Sequence, residues 1–256
     1  MAKNKGEYRE LSKNFTEAWQ KSELKDFYEE HKEELYIGIR GGYINLYYKG
    51  ASISKIEYKS KLKKFDCTIA KRYLYGKDSE RGRQRIAIKD LREKYDDIKK
   101  NVDIIQTDEK VAQQLIVQSI NANNSEWQCV DMEYAKNEQA GRFDIIAVTK
   151  KKPYKVALIE LKYDSKAIGG TNGICKHAED FLEFVDKNKF EHLKHEIPHM
   201  ISSYRKLVSA SQPEVLEEEF CDAKPYICFM ILANNNNNLL KQTKRYLFAD
   251  AYKASA

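Results

Sequence analysis

The stretch GRFDIIAVTKKKPYKVALIELKYD, residues 141–164, constrains the fold more than any other part of the chain. Two apolar runs, FDIIAVT and KVALIELKY, flank a Lys-Lys-Lys-Pro turn, the pattern of an antiparallel β-hairpin. The first run holds one acid, Asp144; the second ends in Glu160-Leu161-Lys162. Side chains alternate faces along a strand, so Glu160 and Lys162 point one way and Leu161 the other. Folding the hairpin brings Asp144 level with Glu160. Two carboxylates and an amine are thus expected to converge from neighbouring segments. A carboxylate among Phe143, Ile145, Ile146 and Val148 is costly unless it is paired or metal-bound.

Such a pair of acids suits Mg²⁺, which takes one or two carboxylates and keeps several waters. Against a phosphodiester, the ion would polarise a phosphoryl oxygen and steady the leaving oxygen. An adjacent lysine could orient the attacking water. The Asp-x15-Glu-x-Lys spacing resembles that of the PD-(D/E)xK nuclease superfamily, over roughly Thr107 to Ala233. The resemblance implies a restriction-endonuclease-like αβββαβ core. It also implies Asp144, Glu160 and the Leu161 carbonyl as ligands of Mg²⁺ (or Mn²⁺), with Lys162 beside the water. The proline that often precedes the first acid is absent; Arg142-Phe143 stands there. The implied activity is a magnesium-dependent deoxyribonuclease that leaves a 5′-phosphate, in defence, restriction or repair.

The order of elements, read separately, agrees. Residues 7–34 read as a helix with Tyr8, Leu11, Phe15 and Trp19 at helical spacing. An antiparallel β-meander follows: LYIGIR and YINLYY joined by Gly41-Gly42, then ASISKIEYK, then FDCTIAKRYLYG. Lys77–Arg85 reads as a loop and residues 88–101 as a charged helix. From Thr107, an N-cap with Asp108 and Glu109 behind it, Val111, Ala112, Leu115, Ile116 and Ile120 form an apolar stripe. A strand over Glu126–Ala135, the hairpin, a Gly-rich loop over Ala167–Gly173 and a helix beginning near Ile174 come next. A helical stretch over Lys189–Ser209 is interrupted or kinked at Pro198. The strand Tyr226–Ala233, a polar turn at Asn234–Asn238 and a helix over Leu239–Lys253 close the chain. The expectation is a mixed α/β (α+β) fold with a lobe over residues 1–105 and a nuclease-like domain over 106–256.

Charge separates the same two regions. Residues 1–105 hold 25 Lys+Arg against 18 Asp+Glu, a balance of +7, and the remainder 20 against 21, a balance of −1. Within Lys49–Arg85, 12 basic residues face 4 acids, an excess that favours a polyanion. Lys61, Lys63, Lys64, Lys71, Arg72, Arg81, Arg83 and Arg85 are the candidate nucleic-acid contacts, interleaved with tyrosines able to stack on bases. The expected partner is DNA, with RNA left open, and cutting of both strands by one site would call for a homodimer. A non-cleaving nucleic-acid-binding module and an interaction subunit for an acidic protein are the other readings. Five widely spaced cysteines argue for a reducing compartment. An amino terminus without an apolar h-region and a longest apolar run of Tyr226–Ala233 predict a cytoplasmic protein with no membrane span.

Further candidates surround the hairpin. Glu109 could add a metal contact, as an acid on that helix does in some members of the resembled superfamily, or simply suit the helix dipole. Gln113 is a weaker choice on the same side. Lys176 and His177 follow the glycine-rich loop, and His177 could touch the scissile phosphate or a water. The Gln-x-x-x-Tyr signature of one recombination-nuclease branch is missing, since Met200 precedes Tyr204 at that spacing. His192, His195 and His199 would align on a continuous helix and could bind zinc, although Pro198 and Lys194 favour a plain polar face.

Overall fold

Alternating apolar and polar residues between Leu35 and Ile86 build a five-stranded antiparallel sheet in the order β1-β2-β3-β4-β5. Its strands are β1 (Leu35–Ile39), β2 (Tyr43–Tyr48), β3 (Ala51–Lys59), β4 (Lys64–Ala70) and β5 (Arg83–Ile86). The row Ile44↔Ile56↔Cys67↔Ile86 crosses four of them and is buried throughout. Onto this core α1 (Lys13–Trp19) sets Phe15 and Trp19, whose rings meet the edge of Phe65 at 5.2 and 6.4 Å. The computed structural model describes residues 8–122, 125–136, 140–163, 174–208, 215, 219–221 and 224–232. The fold is mixed α/β, and the chain divides into two compact units.

Unit one comprises Met1–Gln114 and Pro198–Glu214. Its helices depart from the sequence expectation in instructive ways. The single helix expected over residues 7–34 is two, α1 and α2 (Glu23–Glu30). Ser22 breaks it: its hydroxyl accepts from the Lys25 N–H at 3.3 Å and starts a new helix, as Ser12 does for α1. Residues 88–101 likewise split at Lys94 into α4 (Ile88–Glu93) and α5 (Tyr95–Ile105). The expected fourth strand stops at Ala70 and turns into the short helix α3 (Lys71–Tyr75). The expected loop contains β5, which pairs Arg85 with Thr68 and Arg83 with Ala70. The return of Pro198–Glu214 to unit one rests on buried bonds: Trp19 Nε1 donates to the Leu207 carbonyl at 3.2 Å, and Ser203 Oγ accepts from the Leu11 N–H at 3.0 Å.

Helix α6 (Asp108–Ala122) begins after Thr107, whose carbonyl accepts from the Val111 N–H. Of the expected apolar stripe Ala112 is buried and the rest half-buried, and the other buried residues are Gln113, Gln114 and Val117. Gln114 explains part of the difference: Oε1 accepts from the Gly50 N–H at 2.7 Å and Nε2 donates to the Glu34 carbonyl at 2.9 Å. A buried amide that closes two backbone groups is well satisfied. Gly50 has φ +74°, and a Cβ there would run into the Lys110 carbonyl. The division between units falls inside α6, after Gln114.

Unit two comprises Leu115–Ile197 and Val215–Ala256, and its sheet has the order β6-β7-β8-β9. These strands are β6 (Trp127–Lys136), β7 (Ala140–Thr149), β8 (Val156–Tyr163) and β9 (Tyr226–Leu232). The expected hairpin is β7–β8, with Ile145↔Ile159, Ile146↔Leu158, Ala147↔Ala157 and Val148↔Val156 in antiparallel register. β9 joins β8 in parallel, which requires a crossover; α7 (Ile174–Asp186) and α8 (Lys189–Val208) lie in it. Phe143 is packed by Phe181 and Phe184 of α7, at 4.7 and 4.8 Å between ring centroids. α8 runs through Pro198 without the interruption that was one of the two expectations there. The expected glycine-rich loop at 167–173, the asparagine turn at 234–238 and the helix over 239–253 lie outside the described residues.

Candidate active site

The hairpin strands do not stay paired along their whole length. Their register ends at Ile145↔Ile159, and beyond it each keeps only its outer neighbour. β7 continues against β6 through Tyr134↔Phe143 and Ala135↔Arg142. β8 continues against β9 through Glu160↔Phe229, Leu161↔Met230, Lys162↔Ile231 and Tyr163↔Leu232. Asp144 and Glu160 are the first residues past the parting. The Leu161 N–H, left without a strand partner on the β7 side, donates instead to Asp144 Oδ2 at 2.8 Å. An extended residue presents its N–H and C=O to the same neighbour, so the Leu161 carbonyl faces the side from which Asp144 reaches in.

Glu160 and Lys162 share a face, as their spacing requires, and form an ion pair of 2.7 Å. Their side chains are 7% and 10% exposed, so this is a buried pair. His177, in the first turn of α7, completes a triangle. Its Nε2 lies 3.0 Å from Lys162 Nζ and 3.3 Å from Glu160 Oε1. An ammonium can only donate, so the bond to Lys162 requires the imidazole lone pair at Nε2 and places the ring proton on Nδ1. In unit two, therefore, Glu160, Lys162 and His177 meet one another, and Asp144 meets the Leu161 amide between the first two. Glu109 falls in unit one, half-buried in the first turn of α6 beside Asp108, where its charge suits the helix dipole. Gln113 is buried in the same unit, and its Oε1 accepts from Lys110 Nζ at 3.1 Å. Lys176 pairs with Asp180 and Glu179 on the surface of α7.

The donor set discriminates among ions. Two carboxylates and a main-chain carbonyl fit Mg²⁺ or Mn²⁺, which need few protein ligands. Among the described residues no three His, Cys, Asp or Glu side chains gather as a metal cage. The histidine row of α8 does not form one: His199 Nδ1 lies 3.1 Å from Glu10 Oε2 and its ring stacks on Tyr8. Burial pushes the Cys67 and Cys129 thiols up to about 12, which suits packing rather than metal binding or nucleophilic work.

The eight candidate nucleic-acid contacts all lie in unit one and separate into two groups. Lys71 is held by Glu80 at 2.6 Å, and Arg85 by Asp66 at 3.1 Å. Arg72 donates to the Tyr73 hydroxyl at 2.7 Å, and Arg83 to the Thr68 carbonyl at 2.7 Å. Lys61, Lys63, Lys64 and Arg81 are exposed, and among the described residues their side chains make no ion pair or hydrogen bond. The acids at 66 and 80 were the available signal, but their cross-strand and cross-loop partners emerge only once β4 and β5 are paired. No helix among the described residues is long and apolar enough to cross a membrane. Searches of protein-family models, curated proteins and solved structures return no significant match to this chain.

Proposed function

We propose that unit two is a divalent-metal-dependent nuclease of the PD-(D/E)xK kind, hydrolysing DNA phosphodiester bonds. The observation that carries the reading is the parting of β7 from β8, which sets the Asp144 carboxylate on the Leu161 amide beside the buried Glu160–Lys162 pair. The element order α6-β6-β7-β8-α7-α8-β9, with β9 parallel to β8, supports the same reading through its likeness to a restriction-endonuclease-like core. Asp144, Glu160 and the Leu161 carbonyl would hold Mg²⁺ or Mn²⁺. Such an ion, when bound, supplies polarisation of the phosphoryl oxygen and charge for the leaving oxygen.

The remaining work falls to the chain itself. Lys162 Nζ, anchored by Glu160 and His177, would donate to the attacking water and offset charge on the phosphate. His177 holds Lys162 from the helix side, so its role is to position rather than to meet the reacting atoms. Burial of the Glu160–Lys162 pair keeps competing water away and strengthens these interactions.

Digestion of plasmid and oligonucleotide DNA with Mg²⁺ tests the proposal. Wild-type protein should cut, and Asp144→Asn should lose at least about 10²–10³ in rate, the scale for removing one preorganised transition-state stabiliser. Asparagine keeps an oxygen acceptor for the Leu161 N–H, so its melting temperature should stay near that of wild type. Asp144→Ala should lose the same activity and also about 1–3 kcal/mol of stability, because the amide loses its acceptor. Equal residual cutting by wild type and Asp144→Asn rejects the assignment. Salt-sensitive binding with no metal-dependent cutting by any form leaves a binding module in its place.

A further inference from the structure

The tip of the β3–β4 hairpin combines two features, a cluster of open cations and an exposed leucine. Lys61, Lys63 and Lys64 are exposed, and among the described residues none has a side-chain ion pair or hydrogen bond. Between them Leu62 is 64% exposed, one of three large apolar side chains left open to solvent among the described residues. The tip is firmly held. Residues 60–62 form a 3₁₀ turn, Lys63 closes it at φ +48°, and its N–H donates to the Ser60 carbonyl at 3.3 Å. Below it Tyr58 and Phe65 sit 5.1 Å apart, and Phe65 is rooted on Phe15 and Trp19. Lys59, one step down β3, is by contrast already engaged by Glu57 and Asp66.

Three unpaired cations repel one another, and an open leucine gains nothing from water. Both are relieved together by a polyanion with a recess between rows of charge, whose stacked bases can admit an apolar side chain. The minor groove of duplex DNA is such a recess, about 6 Å wide with phosphates along both rims. Successive Cα atoms are about 3.8 Å apart, so Lys61 and Lys63 stand on either side of Leu62 at a spacing from which flexible side chains reach both rims. Apolar side chains, leucine among them, enter minor grooves as wedges and unstack a base step. An anionic membrane fits less well: three lysines fall short of the about 4–8 clustered cations that mark such surfaces.

We infer that residues 60–64 dock on duplex DNA, with Lys61, Lys63 and Lys64 on phosphates flanking the minor groove and Leu62 inserted in it as a wedge. The choice of DNA as partner rests on the nuclease reading, but the surface lies in unit one and its action does not require cutting.

The test is binding of the full chain to a short duplex carrying 2-aminopurine, in EDTA so that hydrolysis plays no part. Replacing Lys61, Lys63 and Lys64 together by alanine should reduce the slope of log affinity against log salt by about 2.7, three phosphates at about 0.9 each. Leu62→Ala should keep the wild-type slope, bind about tenfold more weakly and lose the fluorescence rise that unstacking produces. A protein that binds through the tip in EDTA yet fails to cut when Mg²⁺ is restored separates failure of the cutting assignment from failure of this one. An unchanged slope in the triple variant, or wild-type binding by Leu62→Ala, overturns the inference. So does tip-dependent binding to phosphatidylserine vesicles by a protein whose duplex binding ignores the tip. All three lysines and Leu62 are exposed, and unchanged melting temperatures should accompany every variant.

Discussion

Replacing Glu160 and Lys162 together should stabilise the protein or leave it unchanged, whereas replacing either alone should damage it. The pair is 2.7 Å long with side chains 7% and 10% exposed, so both charges have given up most of their hydration. Lys162→Met leaves Glu160 buried without its ammonium partner, and His177 Nε2, 3.3 Å away, must then take up the ring proton to serve it. Breaking a buried pair from one side costs about 3–5 kcal/mol, and the histidine places this case near the lower end. Glu160→Leu leaves the ammonium facing His177 alone, at a similar cost. The double variant removes both desolvated charges and should come out between neutral and about 4 kcal/mol more stable. Urea unfolding followed at two wavelengths measures this, with coincident transitions required before free energies are compared. A double variant whose loss equals the sum of the single losses would refute the reasoning: the pair would then be stabilising in itself. If the expected order holds, the chain keeps two charges that apolar side chains would replace without loss. Chemistry is the reason left for them, and the double variant should be inactive towards DNA.

Two further outcomes concern unit one. Glu57 is held by Lys55 at 2.6 Å and by Lys59, and hydrogen bonds from both pull its carboxyl down to about 2 from an ordinary 4.5. A depressed pKa stabilises the fold above the unfolded value and loses that contribution as pH falls towards the folded one. The stability gap between wild type and Glu57→Gln, about 1 kcal/mol once solvent screening of this partly exposed trio is allowed for, should therefore be full above about pH 5 and vanish by about pH 2. A gap that is constant across this range in urea titrations contradicts the assignment. Gly50→Ala and Gly42→Ala both place a side chain in the left-handed region, at φ +74° and +76°. Only the first Cβ meets a neighbour, the Lys110 carbonyl. Melting curves should show Gly42→Ala costing about 1 kcal/mol and Gly50→Ala at least about 2.

The hairpin was legible because its signal is local: β-rich runs, a lysine-proline turn and acids at fixed offsets. Alternation alone put Glu160 and Lys162 on one face, and their 2.7 Å contact agrees. Where each strand finds its outer partner is not local information. The parting after Ile145↔Ile159 depends on β6 holding Phe143 and β9 holding Glu160, contacts with residues far away in sequence. β5 was hidden because RQRI has one apolar residue, and it pairs through backbone and through Arg83 and Arg85 on the open side. Ser22 was hidden by the helical spacing on both sides of it, since a cap hydroxyl overrides periodicity without disturbing it. The expected boundary near residue 105 used charge and composition. Gln114, buried against Gly50 and Glu34, and Trp19, bonded to Leu207, tie residues beyond it to unit one through contacts that composition does not record.

The parting of the strands also accounts for the cost of an acid inside an apolar run. Had β7 and β8 remained paired, the ladder would have satisfied the Leu161 amide, and Asp144 would have been a carboxylate in the middle of a sheet with little to offset its desolvation. By separating one residue earlier, the strands leave an amide that needs an acceptor beside an acid that needs a donor, and the 2.8 Å bond satisfies both. The same step exposes the Leu161 carbonyl to that side and leaves Glu160 and Lys162 supported from β9 and from His177 rather than from β7. Fold stability and polar chemistry are thus reconciled by one local event in the sheet. It follows that Ile145, the last residue of β7 paired with β8, sets where the site opens. Extending the pairing by a residue would close it without changing any of its four polar side chains.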